Sequence, residues 1–244
     1  MPKAPSAAKS APAALLHALQ HVARLHAERH ANAALAEALE RVAKWQALRL
    51  RNTYADLAAQ ARYRDAIEFF ENDLYGGDDF AQRDADVLRV IPVMTRMLPN
   101  RVLATIAQAM ELNALSQELD RALLARLPRA DGRFTVAEYC LAFRRLDNRA
   151  AREQQIRLTG EIGGALDRFV RMPMVRAALG MMRRPARLAG MMALHDFLER
   201  GFDAFRRMGG ADEFLATIAT RETALMNAIF SGASAPFADP LADD

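Results

Sequence analysis

The sequence is poor in cysteine and in aromatic residues, and each shortage excludes a class of protein. Cys140 is the single cysteine among 244 residues, so neither an internal disulfide nor a cluster of thiolate metal ligands can form. Only 7% of the residues are aromatic, and no run of alternating Val, Ile or Thr predicts a half-buried strand. These shortages predict an all-α protein in a reducing compartment.

Long hydrophobic runs are also missing. No apolar run reaches the ~18 charge-free residues that a membrane-spanning helix requires. An Ala/Leu run follows Pro12, but His17, His21 and Arg24 interrupt it too early for a signal peptide. The sequence therefore predicts a cytoplasmic protein without a transmembrane span.

Lysine is scarce. Only three of the 33 basic residues are lysines, and the others are arginines. This preference is typical of a GC-rich bacterial genome. The 30 acidic residues interleave with the arginines along most predicted helices, whereas a nucleic-acid interface needs a one-sided basic stripe. We therefore expect no nucleic-acid partner.

Helical periodicity dominates the rest of the chain. Apolar residues recur at intervals of three and four, which predicts a single bundle of about eight helices. From Ala13 to about Gln60 the pattern is long and Ala-rich, so it predicts an antiparallel helix pair or one N-terminal helical arm, with a break near Asn32. Such an arm could also pair between chains, which leaves an oligomer open.

Proline, glycine and capping residues predict where the helical domain, residues 13–231, begins, turns and ends. Residues 1–12 and 232–244 are small, polar and proline-bearing, and are predicted to be disordered tails. The turn at 128–134 marks a candidate subdomain break, and Thr135 with Glu138 has capping-box spacing just after it. Further helix ends are expected at Pro173, Pro185 and Gly209-Gly210.

One segment resembles a known family. The residues FFENDLYG, from Phe69 to Gly76, resemble the motif of the uncharacterised bacterial family named for the sequence FFLEELY. Phe69, Phe70, Leu74, Tyr75 and Gly76 match the family pattern, while Glu71 and Asn72 depart from it. The resemblance implies no activity and no functional residues. In physical terms, aromatic residues at helical spacing before a glycine are usually core residues, and a ligand contact is the alternative.

A histidine on an apolar helix face gives one candidate catalytic site. His195 falls on the stripe of Met192, Leu198 and Phe202, with Glu199 one turn later, and Glu222 shares the apolar face of the last helix. If these faces meet, a buried histidine flanked by carboxylates results. The alternative is a structural hydrogen bond, which we favour because no nucleophile or phosphate-binding loop accompanies these residues.

The sequence predicts neither a metal site nor a cofactor. Four histidines form the pairs His17/His21 and His26/His30, each on one helix face. No Glu-x-x-His or His-Glu-x-x-His spacing accompanies the pairs, so nothing completes a set of metal ligands.

The strongest local anomaly is the segment 171–192, which is rich in methionine and arginine and contains no acidic residue. Methionine beside arginine suits an adaptable surface for a protein partner or for anionic lipid headgroups. The alternative, which we favour for these methionines, is a core in which they fill gaps while the arginines extend outward. The leading hypothesis is a non-enzymatic protein that binds a partner here, and an apolar-ligand protein or small enzyme is the alternative. The predicted binding residues are Arg176, Met181, Met182, Arg183, Arg184 and Arg187.

Overall fold

The computed structural model describes residues 10–70, 99–129, 133–188, 190 and 192–242. Within these residues it contains ten helices and no strand, which confirms the all-α class. The helices are α1 (Ala11–His30), α2 (Ala33–Thr53), α3 (Ala55–Ala58), α4 (Arg64–Phe69), α5 (Asn100–Leu124), α6 (Val136–Arg145), α7 (Arg149–Val170), α8 (Pro173–Leu188), α9 (Met192–Met208) and α10 (Asp212–Phe230).

The Ala-rich N-terminal segment consists of two packed helices and not one long arm. The predicted break at Asn32 is present, because the Asn32 side chain accepts a hydrogen bond from the backbone N–H of Leu35 and caps α2. Leu15 and Leu19 of α1 are buried in a cluster with Leu103 of α5. The small alanines between them allow close packing of α1 on α5.

Two further apolar clusters meet along α10. Near its start, Phe214 packs with Tyr63 and Phe205, and near its end, Ile229 packs with Trp45. The second of these clusters also holds Leu123, which precedes the turn at 128–134, Phe134 at the end of the turn, and Val136, which follows it. Residues on the two sides of the predicted subdomain break therefore share one core.

Cys140 belongs to the same cluster and is fully buried. Burial raises the pKa of its thiol to about 11, as expected for a cysteine that acts as a small apolar side chain.

The C-terminal residues differ from the disordered tail that the sequence predicted. Phe237 lies 6.0 Å from Trp45 and 6.1 Å from Tyr139, measured between ring centroids. An aromatic ring gains enough apolar contact to order the Pro-containing segment around it. The residues around Phe237 are mostly small and polar, so the composition of the segment predicted disorder.

The structure confirms one predicted helix boundary and contradicts another. The capping box of Thr135 and Glu138 is confirmed, with the reciprocal bonds that its spacing predicts. The break expected at Pro185 is wrong, because α8 runs through this proline to Leu188. The chain turns instead at Gly190, where φ is +70°, a conformation that glycine adopts without steric cost.

A close approach between α4 and α9 depends on Gly201. A Cβ atom at this position would lie 2.8 Å from Cζ of Phe69, whereas a Cβ at Gly180 of α8 would meet no atom within 4 Å. The ring of Phe69 also lies 5.3 Å from that of Phe197, which restricts its movement.

We predict that Gly201→Ala lowers the free energy of unfolding by about 1 kcal/mol, because overpacking outweighs the gain in helix propensity. Gly180→Ala is the matched control and should raise it by roughly 0.5–1 kcal/mol, since only the propensity gain applies. Urea unfolding followed by circular dichroism measures both. Equal stabilisation by the two substitutions would show that α4 and α9 are not in contact at Gly201.

Candidate functional site

The predicted binding residues lie on α8, at the edge of the bundle. Arg176, Arg183, Arg184, Arg187 and Met181 are exposed, and Met182 is half-buried. Two further apolar residues of this helix, Met174 and Leu188, are also exposed. The segment is therefore mainly surface, whereas the sequence favoured core packing for its methionines.

α8 is held on the bundle by one narrow face. Val175 and Leu179 pack against the cluster that contains Phe214, and Ala186 is buried. Proline has no N–H to donate, yet Pro185 is accommodated on the exposed side of the same helix.

His195 of α9 joins the two helices. It is only 3% exposed, and its Nε2–H donates to the backbone carbonyl of Leu179 at 3.0 Å. This bond leaves Nδ1 as the nitrogen that faces the carboxylates, 3.7 Å from Glu199 and 3.9 Å from Asp196. Glu199 in turn lies 3.6 Å from the guanidinium of Arg183 on α8.

The ligand atoms of His195, Asp196 and Glu199 all lie within 4.8 Å of one another, so these three residues are the set in the described chain that could hold a cation. The positive charge of Arg183 beside Glu199 opposes a cation there. We therefore interpret the cluster as an interhelical link, in line with the structural hydrogen bond that the sequence favoured.

Glu222 does not join His195, in contrast to the predicted catalytic set. Its two carboxylate oxygens accept hydrogen bonds from Arg49 at 2.6 and 3.0 Å, and one of them also accepts from the Tyr54 hydroxyl at 2.8 Å. Burial lowers the pKa of Arg49, but the facing Glu222 carboxylate outweighs burial and raises this pKa overall. Glu222 therefore lies with Arg49 and Tyr54 and not with His195.

Beside this ion pair lies a cavity of about 140 Å³ that the sequence analysis missed. Residues of α2, α5, α6, α7 and α10 line it, among them the buried Arg152 of α7. A signal was present, since Arg152 stands on the same helix face as Ile156 and Gly163. Arg152, like His195, is a polar residue on an apolar helix stripe, so the same pattern indicated it as a candidate.

The motif residues lie only partly within the described chain. Phe69 is buried, and Phe70 borders the cavity and lies 6.0 Å from the ring of Phe214. Leu74, Tyr75 and Gly76 fall outside the described residues. Both phenylalanines contact neighbouring aromatic rings, and because Phe70 also borders the cavity, a ligand contact stays the alternative for this residue.

Comparison with known proteins places this helical bundle in a family. The family model described as Domain of unknown function (DUF8198) matches residues 24–236, and the chain belongs to this family. The match includes α8, His195 and the cavity residues except Phe237, and its description assigns none of them an activity. No curated protein and no solved structure matches the chain. The resemblance to the FFLEELY family stays a prediction.

We predict that Glu222→Gln lowers the free energy of unfolding by about 2–3 kcal/mol, because it leaves the Arg49 guanidinium without its counter-charge in a buried position. Glu153→Gln is the control, since Glu153 forms an exposed pair with Arg149 and such pairs contribute about 0–1 kcal/mol. Urea unfolding measures both. Similar effects of the two substitutions would contradict a structural role for the Arg49–Glu222 pair.

Proposed function

We propose that the chain is a peripheral membrane-binding protein whose helix α8 lies on an anionic lipid surface. The observation that carries this proposal is an exposed apolar line in a helix that has four arginines and no acidic residue. Met174, Met181 and Leu188 are 67%, 72% and 81% exposed. Large apolar side chains of a core-packed helix are mostly buried, so this exposed line is available to a partner.

The exposed residues of α8 form two lines along the outer side of the helix. Met174, Met181 and Leu188 recur every seven residues, close to two helical turns, and therefore share one line. Arg176, Arg183 and Arg187 follow a second line. Arg184 lies between the two lines, and Arg183 faces Glu199 of α9. We call the other exposed residues of the two lines, together with Arg184, the Met/Arg surface: Met174, Arg176, Met181, Arg184, Arg187 and Leu188.

An anionic bilayer matches both lines at once. Apolar side chains enter the boundary between headgroups and acyl chains, while arginines remain at the level of the phosphates. Arg176, Arg184 and Arg187 form no ion pair with the described residues, so their charges are not already neutralised. A protein groove that received the apolar line would leave the second line of arginines in water, which makes a flat charged surface the better fit.

Magnitudes indicate weak and reversible binding. Each basic residue near an anionic surface contributes about 1 kcal/mol, and full burial of one methionine or leucine about 1.5–3 kcal/mol. Loss of rotational and translational freedom offsets much of this sum. Within the described residues no helix is long and apolar enough to cross a bilayer, so the proposal concerns surface contact alone.

The rest of the bundle supports α8 as a rigid element. Leu179 accepts the hydrogen bond of His195, and Arg183 faces Glu199, so α9 holds the inner side of α8. A helix that is already folded binds without the entropic cost of folding on the membrane. The cytoplasmic location, the bacterial origin and the oligomeric state remain predictions from the sequence.

Co-sedimentation with lipid vesicles tests this proposal. The chain should pellet with vesicles of equal parts phosphatidylglycerol and phosphatidylcholine, and not with phosphatidylcholine alone, and added salt should weaken the binding. The double substitution Arg184→Gln/Arg187→Gln should reduce partitioning about 30-fold, which corresponds to about 2 kcal/mol. Met181→Ser should reduce it about tenfold through lost apolar burial.

Matched controls separate α8 from general charge and hydrophobicity. Arg126 at the end of α5 is exposed, and Leu16 of α1 is the counterpart of Met181 as an exposed apolar residue. Arg126→Gln and Leu16→Ser should each leave partitioning within about twofold of the unsubstituted chain, since neither lies on the Met/Arg surface. Loss of binding in the controls equal to that in the α8 variants, or equal binding to neutral vesicles, would overturn the proposal.

A further inference from the structure

The cavity beside α10 has the size of a small ring compound. Its volume of about 140 Å³ is close to that of an engineered protein cavity, about 150 Å³, that accepts benzene. Much of its wall is apolar, with Phe70, Ile218 and Met226 among the lining residues. A ligand with an apolar body of roughly six to nine heavy atoms fits this space.

Arg152 gives the cavity a specific polar group. The residue is only 5% exposed, and its Nη1 donates to Oε1 of Gln155 at 3.2 Å, while Nε and Nη2 have no hydrogen-bond partner. Nε–H and Nη2–H lie on the same edge of the guanidinium, the edge that binds both oxygens of a carboxylate. Leaving two charged donors buried and unpaired is costly, so a ligand that satisfies them gains that energy.

Most other polar residues of the cavity already have partners. Gln46 donates to Asp120 at 2.8 Å, and Gln155 donates to Ser116 at 2.9 Å. The positive charge of Arg49 faces Glu222. Among the described lining residues, Arg152 therefore holds the charged buried donors that remain for a ligand.

Arg152 has no ion-pair partner among the described residues, so its charge is the one that a bound anion would neutralise. Burial raises the pKa of Asp120, while the hydrogen bond from Gln46 and the charge of Arg152 lower it by less, and no ion pair joins Asp120 to Arg152. Burial also raises the pKa of Tyr139, so its phenol stays neutral. The guanidinium of Arg152 lies 4.5 Å from the centroid of the Phe143 ring, a contact that orients the cation without neutralising it.

We propose that this cavity binds a small carboxylic acid with an apolar body, and that the carboxylate pairs with Nε and Nη2 of Arg152. An inorganic anion would satisfy the arginine but leave the apolar wall without contacts. A neutral hydrocarbon would contact the apolar wall but leave the arginine unpaired. An aromatic or branched aliphatic monocarboxylate satisfies both, and this site is separate from the Met/Arg surface on α8.

Isothermal titration calorimetry with benzoate at neutral pH tests the proposal, together with the shift in melting temperature. Benzoate should bind and raise the melting temperature. Benzyl alcohol, which has the same ring without the charge, should bind at least tenfold more weakly, and inorganic phosphate should not bind measurably.

Arg152→Met should weaken benzoate binding at least tenfold and remove its effect on the melting temperature. In the absence of ligand this variant should be at least as stable as the unsubstituted chain, because an unpaired buried charge is replaced by an apolar side chain. The control Arg157→Met, on the exposed side of the same helix, should leave benzoate binding unchanged.

A second variant tests the cavity without touching the arginine. Gly160 lines the cavity, and a Cβ added there meets no atom within 4 Å, so Gly160→Leu should fill the space and abolish benzoate binding in a folded chain. The proposal is overturned if benzoate fails to bind, if benzyl alcohol binds as tightly, or if either Arg152→Met or Gly160→Leu leaves benzoate binding unchanged.

Discussion

The ion pair between Arg49 and Glu222 is the constraint around which the centre of the bundle is arranged. α10 must bury Phe214 near one end and Ile229 near the other, so its middle passes through the interior and takes Glu222 with it. A buried carboxylate requires a counter-charge and hydrogen-bond donors, which Arg49 and Tyr54 of the α2 region supply. The pair thereby sets where α2 lies along α10.

The cavity is a consequence of this polar centre. Charged side chains keep defined distances and cannot interdigitate as closely as branched aliphatic ones, and a space remains beside them. Arg152 borders that space with donors that the bundle itself does not satisfy. Packing for stability alone would favour an apolar residue here, and proteins depart from such packing mainly where a site is needed.

The edge helix α8 packs differently from the polar centre of the bundle. It contributes one face to the core and presents its remaining surface outward, so its fold requires Val175, Leu179 and Ala186 but not its exposed methionines or arginines. The His195 and Arg183 contacts join its inner side to α9. The cavity in the interior and the Met/Arg surface of α8 share no residue, so the two proposed sites are independent.

Periodicity and local capping chemistry determined the helical class, the break at Asn32 and the capping box at Thr135, because these depend on residues within one or two turns of each other. They also identified α8 as anomalous and placed His195 on a buried face. Tertiary packing decided what each face meets: Glu222 pairs with Arg49 and not with His195, and Phe237 is anchored by Trp45. The cavity beside Arg152 likewise exists only where several separate helices converge, since long-range contacts between helices leave no periodic trace in the chain.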